Sequence, residues 1–459
     1  MSELFVYWGS TLVGCLTEGR QGLVFAYERP DSPMISVAMP PRRQPYGDSI
    51  ARPFFRGLLP EGEARLIIAY DLGLGNEGGT DVEMLAALGM DCAGALVITE
   101  DGAPPASVGS APPAPLREEE VAVKLRALPN EPLGVTGDVR VSLTGMQPKL
   151  PLARLPDGSW ALSSAGRPST HILKPPSAAL ADSVPNEVFC MRLAGSLGVN
   201  AAPTDLVSVG DLPVLVSTRY DRSTDPDGTV SRFHQEDGCQ ALSIAVGSPR
   251  AKYQRADGTG PSLAGIAALL DQWAPVEARY ELLDHILVTV AVGNADLHGR
   301  NVSLLHRAGQ VQLAPMYDIM STVDLSVVGG QVVSSTLGMH IGGKTDVHDV
   351  GVEDLLREAE RWGLRRGAAE KRVHELIDRL PGAVDDAVAA VPTVPEERLE
   401  TIRRRVEKLQ SEALGLLDPG AHVDVAERAD TGGSSGIGQV RSYVREDGTP
   451  VRAHTRRRT

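Results

Sequence analysis

Asn294-Ala295-Asp296-Leu297-His298-Gly299-Arg300-Asn301 puts a carboxylate, Asp296, five positions ahead of a carboxamide, Asn301, within one short irregular segment. A long apolar run, 276–292, precedes it and reads as a helix; two short apolar strands, 302–305 and 311–314, follow. Polar side chains gathered in such a loop hint at function rather than packing. From Gln240 onward helical periodicity dominates, at 262–273, 276–292, 352–362, 368–380 and 395–417, and only the stretch 294–318 interrupts it. Residues 238–418 are therefore expected to form a mostly helical lobe.

Upstream the pattern changes. Strand-like runs at 139–143, 150–155, 159–163, 171–174 and near Leu206 and 214–219, with helices at 117–128 and 186–197, predict a β-rich lobe over 117–237. The Pro- and Ala-rich stretch 101–116 has almost nothing to pack and reads as a linker. Before it, alternating strands at 3–8, 11–16 and 23–27, helices at 61–72 and 81–88 and a strand at 94–99 predict a separate α+β subdomain over 1–100. The end of the chain, 419–459, is Gly/Ser-rich and then basic, and is expected to be a disordered tail.

Composition narrows the function classes. At 459 residues and 42% hydrophobic, the chain can bury several cores. Cys15, Cys92, Cys190 and Cys239 are scattered singly, which argues against a zinc site or a disulfide framework. The start lacks the basic region of a secretory signal and no apolar run is long enough to span a bilayer, so a soluble cytoplasmic protein is expected. A formal net charge of -14 repels a phosphate backbone and favours a small-molecule or protein substrate over free-standing nucleic-acid binding.

The Asp-to-Asn spacing is the one that protein-kinase catalytic loops use. There the carboxylate takes the proton of an attacking hydroxyl and the carboxamide oxygen reaches a magnesium ion on the phosphates. Met316-Tyr317-Asp318 supplies a second hard oxygen ligand after an apolar strand. Lys174 ends the strand His171-Ile172-Leu173, and Glu187 opens the next helix, so an ion pair of the kinase kind is one reading of the two. The other is a surface lysine and a capping Asn186-Glu187. Ser142-Leu143-Thr144-Gly145-Met146-Gln147-Pro148-Lys149 suits a loop whose amides face phosphates. Gly338-Met339-His340-Ile341-Gly342-Gly343-Lys344-Thr345 matches the Walker A pattern, but 346–351 intervenes before any helix that could offer its N-terminus to a phosphate, so the match is read as accidental.

Together these residues resemble the HipA family, the kinase toxins of bacterial toxin–antitoxin pairs, over roughly residues 4–415. The resemblance also rests on Phe54-Phe55-Arg56-Gly57-Leu58-Leu59-Pro60-Glu61-Gly62, Arg219-Tyr220-Asp221-Arg222 and Gln235-Glu236-Asp237-Gly238-Cys239-Gln240. It implies an α+β, two-lobed protein-kinase-like core, similar to phosphoinositide 3-kinases, with a β-rich N-lobe, a mostly helical C-lobe and an extra N-terminal subdomain. It further implies Asp296 as catalytic base, Asn301 and Asp318 as magnesium ligands, and Ser142 as an autophosphorylation site. ATP would be held by Thr144, Gly145, Met146, Gln147, Lys149, Lys174, Gln235, Glu236, His298, Asn301, Tyr317 and Asp318. A phosphate at Ser142 would place strong negative charge beside the 145–149 loop and switch the kinase off.

The partners implied are a HipB-like helix-turn-helix antitoxin, operator DNA reached through it, and a protein substrate such as an aminoacyl-tRNA synthetase. Pro148 and the basic tail depart from the family pattern. The competing readings are a small-molecule or lipid kinase, a non-catalytic module that docks an antitoxin and DNA, and a P-loop NTPase. The acidic chain offers no obvious amphipathic anchor apart from its tail for the lipid case, and a dead kinase has no use for Lys174, Asp296, Asn301 and Asp318 together.

Overall fold

The computed structural model describes residues 2–75, 77–103, 114–128, 148–163, 167–177, 180–248, 250–307, 309–323 and 334–415, with six short strand pieces at 327–328, 331–332, 437–440, 443–444, 450–451 and 454–457. The expected strand at 139–143 and the site residues Ser142, Thr144, Gly145, Met146 and Gln147 lie outside the described residues.

An antiparallel meander opens the chain: β1 (Ser2–Trp8), β2 (Thr11–Gly19) and β3 (Gly22–Tyr27), with β4 (Leu96–Thr99) returning to the free edge of β1. Their inward residues Leu4, Val6, Val13, Leu16 and Phe25 share a core with α1 (Asp48–Gly57), α2 (Gly62–Asp71) and α3 (Asp81–Leu88). Thr80 starts α3 with a reciprocal cap: its hydroxyl accepts from Glu83 N at 3.2 Å and Glu83 accepts from Thr80 N at 2.8 Å. The periodicity at 81–88 reads this helix correctly. It misses α1, because Pro53 lies inside it and prolines ordinarily break helices; buried Phe54 and Phe55 hold it in place.

After α4 (Glu118–Ala127), five antiparallel strands form the upper lobe: β5 (Leu150–Arg154), β6 (Trp160–Leu162), β7 (His171–Lys174), β8 (Thr204–Val209) and β9 (Leu212–Thr218), in the order β6-β5-β7-β9-β8. β7 is central, and the register Leu173 to Val216 and Lys174 to Leu215 sets Lys174 at its end. The helix α5 (Ser183–Ser196) crosses over after β7.

A small ribbon, β10 (Arg222–Thr224) with β11 (Val230–Arg232), leads into β12 (His234–Asp237) and the single turn α6 (Gly238–Ala241). The lower lobe buries the largest core around α7 (Leu263–Trp273) and α8 (Glu277–Val292). β12 is the crossing strand. It pairs with β13 (Ser303–Arg307), which pairs in turn with β14 (Gln310–Leu313), so the segment leaving the upper lobe is hydrogen-bonded to the strands that follow residues 294–301.

Beyond the two-residue pair β15 (Val327–Val328) and β16 (Gln331–Val332), β17 (Thr336–Ile341) and β18 (Lys344–Asp346) form a hairpin. Gly342 and Gly343 make its turn at φ of 60° and 86°, conformations that a Cβ disfavours. The Walker-like stretch is thus a hairpin, and the next helix starts only at Val352, so no helix N-terminus is offered to a phosphate.

The helices α9 (Val352–Arg361), α10 (Arg366–Ala390) and α11 (Glu396–Ala413) complete the lobe. α10 runs ten residues past its expected end at 380, through Pro381, because Ala383, Val384 and Ala387 continue its buried face. In the segment expected as a disordered tail, the described residues form two antiparallel strand pairs, β19 (Ile437–Val440) with β22 (His454–Arg457) and β20 (Tyr443–Val444) with β21 (Pro450–Val451), in a unit separate from the rest. Among the described residues no helix is long and apolar enough to cross a membrane.

Candidate active site

The 294–301 loop begins where α8 is stopped. Gly293 takes a left-handed conformation, φ 69° and ψ 45°, and a Cβ there would meet Val323 at 2.7 Å, so glycine is required. Asn294 then folds the chain back by accepting from Asp296 N at 2.9 Å, and Thr322 accepts from Ala295 N at 2.9 Å. Asp296 is left exposed at the tip. Its Oδ1 accepts from the hydroxyl of Tyr253 at 2.7 Å. Asn301 Nδ2 donates to the carbonyl of Asp296 at 3.2 Å, which ties down the nitrogen end of that carboxamide and leaves Oδ1 as the end a cation can use.

Lys174 is 7% exposed and reaches two carboxylates: Glu187 on α5 at 2.7 Å and Asp318 at 2.6 Å. Burial works against its charge, but Asp318 and Glu187 outweigh burial and hold its pKa above the ordinary lysine value. Asp318 is held below the usual carboxylate range chiefly by Lys174. It has φ of 58°, uncommon for a residue with a Cβ, and its side chain stays 44% exposed on the cavity side. Of the two readings of Lys174 and Glu187, the ion pair is the one found; Asn186 is no cap either. It lies inside α5, fully buried, donating to Ser321 O at 2.9 Å and accepting from Ser321 N at 3.0 Å, which fixes the segment just past Asp318.

These groups open onto one cavity of about 1300 Å³ between the lobes, lined also by Lys149, Gln235, His298 and Tyr317. Burial, then the charge of Lys174, pushes Lys149 down to about 8. Burial also pushes His298 down to about 4, so its ring is neutral near neutral pH; it packs edge-on against Tyr253 with centroids 5.2 Å apart. Tyr317 donates to the carbonyl of Arg300 at 2.7 Å.

The structure separates the pair Gln235 and Glu236. Gln235 faces the cavity and bonds Tyr220 and Asp221. The Glu236 side chain points the other way, accepting from Ser36 Oγ at 2.6 Å, Val37 N at 2.9 Å and His306 Nε2 at 2.9 Å, so it ties β12 to the first subdomain. Three further participants escape the sequence reading. Lys252 and Tyr253 come from a turn-rich segment without periodicity, and Arg300, inside the loop itself, donates to Asp237 at 2.9 Å and to Gly57 O at 2.6 Å and contacts Glu61. Buried Arg219, Asp221 and Arg222 make a second bridge to the first subdomain through Asp91 and Gly94.

A lysine bridged to two carboxylates, an exposed carboxylate five residues before a carboxamide, and a cleft between a β-rich and a helical lobe define a kinase-type phosphotransferase. The chain belongs to the HipA family: residues 4–99 match the HipA N-terminal domain and residues 141–386 the HipA-like C-terminal domain. It is 37% identical to the candidate kinase Y4mE of Sinorhizobium fredii, over 83% of this chain and 90% of that one. It is 29% identical to the serine/threonine-protein kinase toxin HipA of Shewanella oneidensis, over 81% and 86%. The solved structure of Shewanella oneidensis HipA with HipB and its operator DNA superposes with a TM-score of 0.74 at 26% identity, covering 90% of this chain and 97% of that one. The protein is a kinase with the fold of that family.

Proposed function

We propose that this protein is an ATP- and magnesium-dependent serine/threonine protein kinase that acts as the toxin of a toxin–antitoxin pair. The observation that carries the reading is Lys174 held at 2.7 and 2.6 Å between Glu187 and Asp318, on the same cavity as Asp296 and Asn301. In this reading Lys174 and Lys149 bind the nucleotide phosphates, with Gln235, His298 and Tyr317 further along the cavity. Asp296 accepts the proton of the acceptor hydroxyl as that oxygen bonds to phosphorus. The oxygen donors Asn301 and Asp318 suit magnesium, which when bound would neutralise charge on the phosphates. The Glu236 carboxylate, committed to Ser36, Val37 and His306, is left out of the nucleotide site in this reading.

The likeness to a HipA solved with HipB and operator DNA supports a HipB-like antitoxin as partner, with operator DNA reached through it. Ser142 is proposed as the site of self-inhibition and a translation protein such as an aminoacyl-tRNA synthetase as the substrate, both on family resemblance. The test is intact mass after incubation with ATP and magnesium, for wild type, D296N and S142A. The wild type is expected to gain one phosphate at Ser142; S142A gains none there, and D296N, slowed about 10²–10⁴-fold, gains none in the time the wild type takes to react. K344A, in the hairpin, is expected to transfer like the wild type. No gain in protein confirmed unphosphorylated, with no transfer to any protein of a cell lysate, would instead favour a non-catalytic docking module.

A further inference from the structure

The segment 250–261 brings Arg250, Lys252, Tyr253 and Arg255 to the cavity wall. Lys252 differs from the other lysines there. It is only 6% exposed, buried as deeply as Lys174, yet among the described residues its ammonium has no hydrogen bond and no ion pair. Its recorded neighbour is the ring of Tyr253, whose centroid lies 5.5 Å from Nζ. The residue is buried while its ammonium opens onto the cavity that holds Asp296, and a cation placed there without an anion of its own points to an anionic group that completes it.

The backbone carrying Lys252 is fastened to the very loop that holds Asp296. Its carbonyl accepts from Gly299 N at 2.9 Å, and the neighbouring Tyr253 hydroxyl donates to Asp296 at 2.7 Å. Gln254 closes the clasp, donating through N to Gly338 O at 2.8 Å and accepting from His340 N at 2.8 Å. Lys252 therefore keeps its place relative to Asp296 whatever the upper lobe does.

We propose that Lys252 is a catalytic residue that binds the phosphoryl group in transit from nucleotide to acceptor. The assignment rests on the kinase reading above. As the acceptor oxygen bonds to phosphorus and the bond from phosphorus to the leaving oxygen of the nucleotide breaks, the hydroxyl proton passes to Asp296 and the bonding pair to the leaving oxygen. Lys252 neither gives nor takes a proton in the step and faces the oxygens of the moving group. Lys174 already has carboxylate partners and serves the bound nucleotide; Lys252 gains its partner during transfer, which is where binding energy accelerates a reaction.

The experiment compares wild type, K252M, K252R and D296N in three assays: ATP affinity, rate of phosphate gain, and the rise in melting temperature that aluminium fluoride adds to that of ADP. K252M is expected to bind ATP within about threefold of wild type, to lose about 10²–10³-fold in transfer rate, and to lose the aluminium fluoride increment. K252R is expected to recover part of both. Transfer by K252M within about threefold of wild type, or a loss of ATP affinity in step with the loss of rate, overturns the assignment. Should K252M fail to fold, K252Q carries the same arms. A wild type that binds ATP but transfers phosphate to nothing overturns the kinase reading, and this proposal with it; an active wild type with an unaffected K252M overturns only the proposal.

Discussion

Lys149 and Lys174 face the same cavity under opposite electrostatic regimes. Lys174 has two carboxylates against it, whereas burial and the charge of Lys174 push Lys149 down to about 8. In the folded chain Lys149 loses its proton near that pH, while in the unfolded chain it keeps it to about 10.4. Between the two values the unfolded chain binds more protons, so the contribution of Lys149 to stability rises with pH across that window. Nucleotide affinity runs the other way, since a polyphosphate binds the charged lysine. Calorimetric titration is expected to show ATP affinity falling as pH rises through about 8, and K149R, whose guanidinium stays charged, flattening the fall. An affinity that is flat over that range in the wild type removes Lys149 from the phosphate site. At this scale the sequence is readable where chemistry is local. Asp296 and Asn301 share one turn, so their spacing declares them. Lys252 is silent in the sequence because its significance is a missing partner, and that exists only after folding. Gln235 and Glu236 look like a pair until β12 is seen as a strand, whose alternation sends them to opposite faces.

α5 does two jobs along its length, presenting Glu187 to Lys174 and using Asn186 to clasp both backbone groups of Ser321. Removing the clasp leaves the buried N–H of Ser321 without that partner, at roughly 1–3 kcal/mol, while the carbonyl of Ser321 still accepts from Arg398 at 3.2 Å. N186A is therefore expected to lower unfolding stability by about 1–3 kcal/mol, read as a lower urea midpoint at unchanged slope. It is also expected to raise the magnesium concentration needed for transfer, because Asp318 lies three residues from Ser321. A variant with wild-type stability would show that the clasp is idle. The helices that periodicity finds, such as α3 and α8, have ends that caps or a left-handed glycine make visible. α1 stays hidden for the opposite reason: a proline there obeys tertiary packing rather than local preference, whereas the β17–β18 hairpin does carry a local signal, the Gly342-Gly343 turn, which the Walker-like pattern overshadows.

Over the whole molecule the net charge is -14, yet Lys149, Lys174, Lys252 and Arg300 converge on the cavity beside its carboxylates, so cations are gathered where an anionic substrate would bind. The alternation and helix patterns of the sequence outline the lobes, but not how the first subdomain meets the catalytic loop, because Glu61 and Arg300 lie 239 positions apart. That junction is extensive. Arg300 depends on Gly57 and Glu61, Arg222 on Asp91, and Gln240 on the carbonyl of Phe54 at 2.8 Å. A fragment of residues 101–459 strands these buried charges, at about 3–5 kcal/mol for a broken buried pair. It is expected to transfer no phosphate and to melt well below the full chain in a calorimeter; an active fragment would show the first subdomain to be dispensable. The contacts just named across the junction are all made by residues outside 101–116. A gene cut in two there is expected to act as a two-key lock: each half silent when expressed alone, and phosphate transfer restored only in cells that make both.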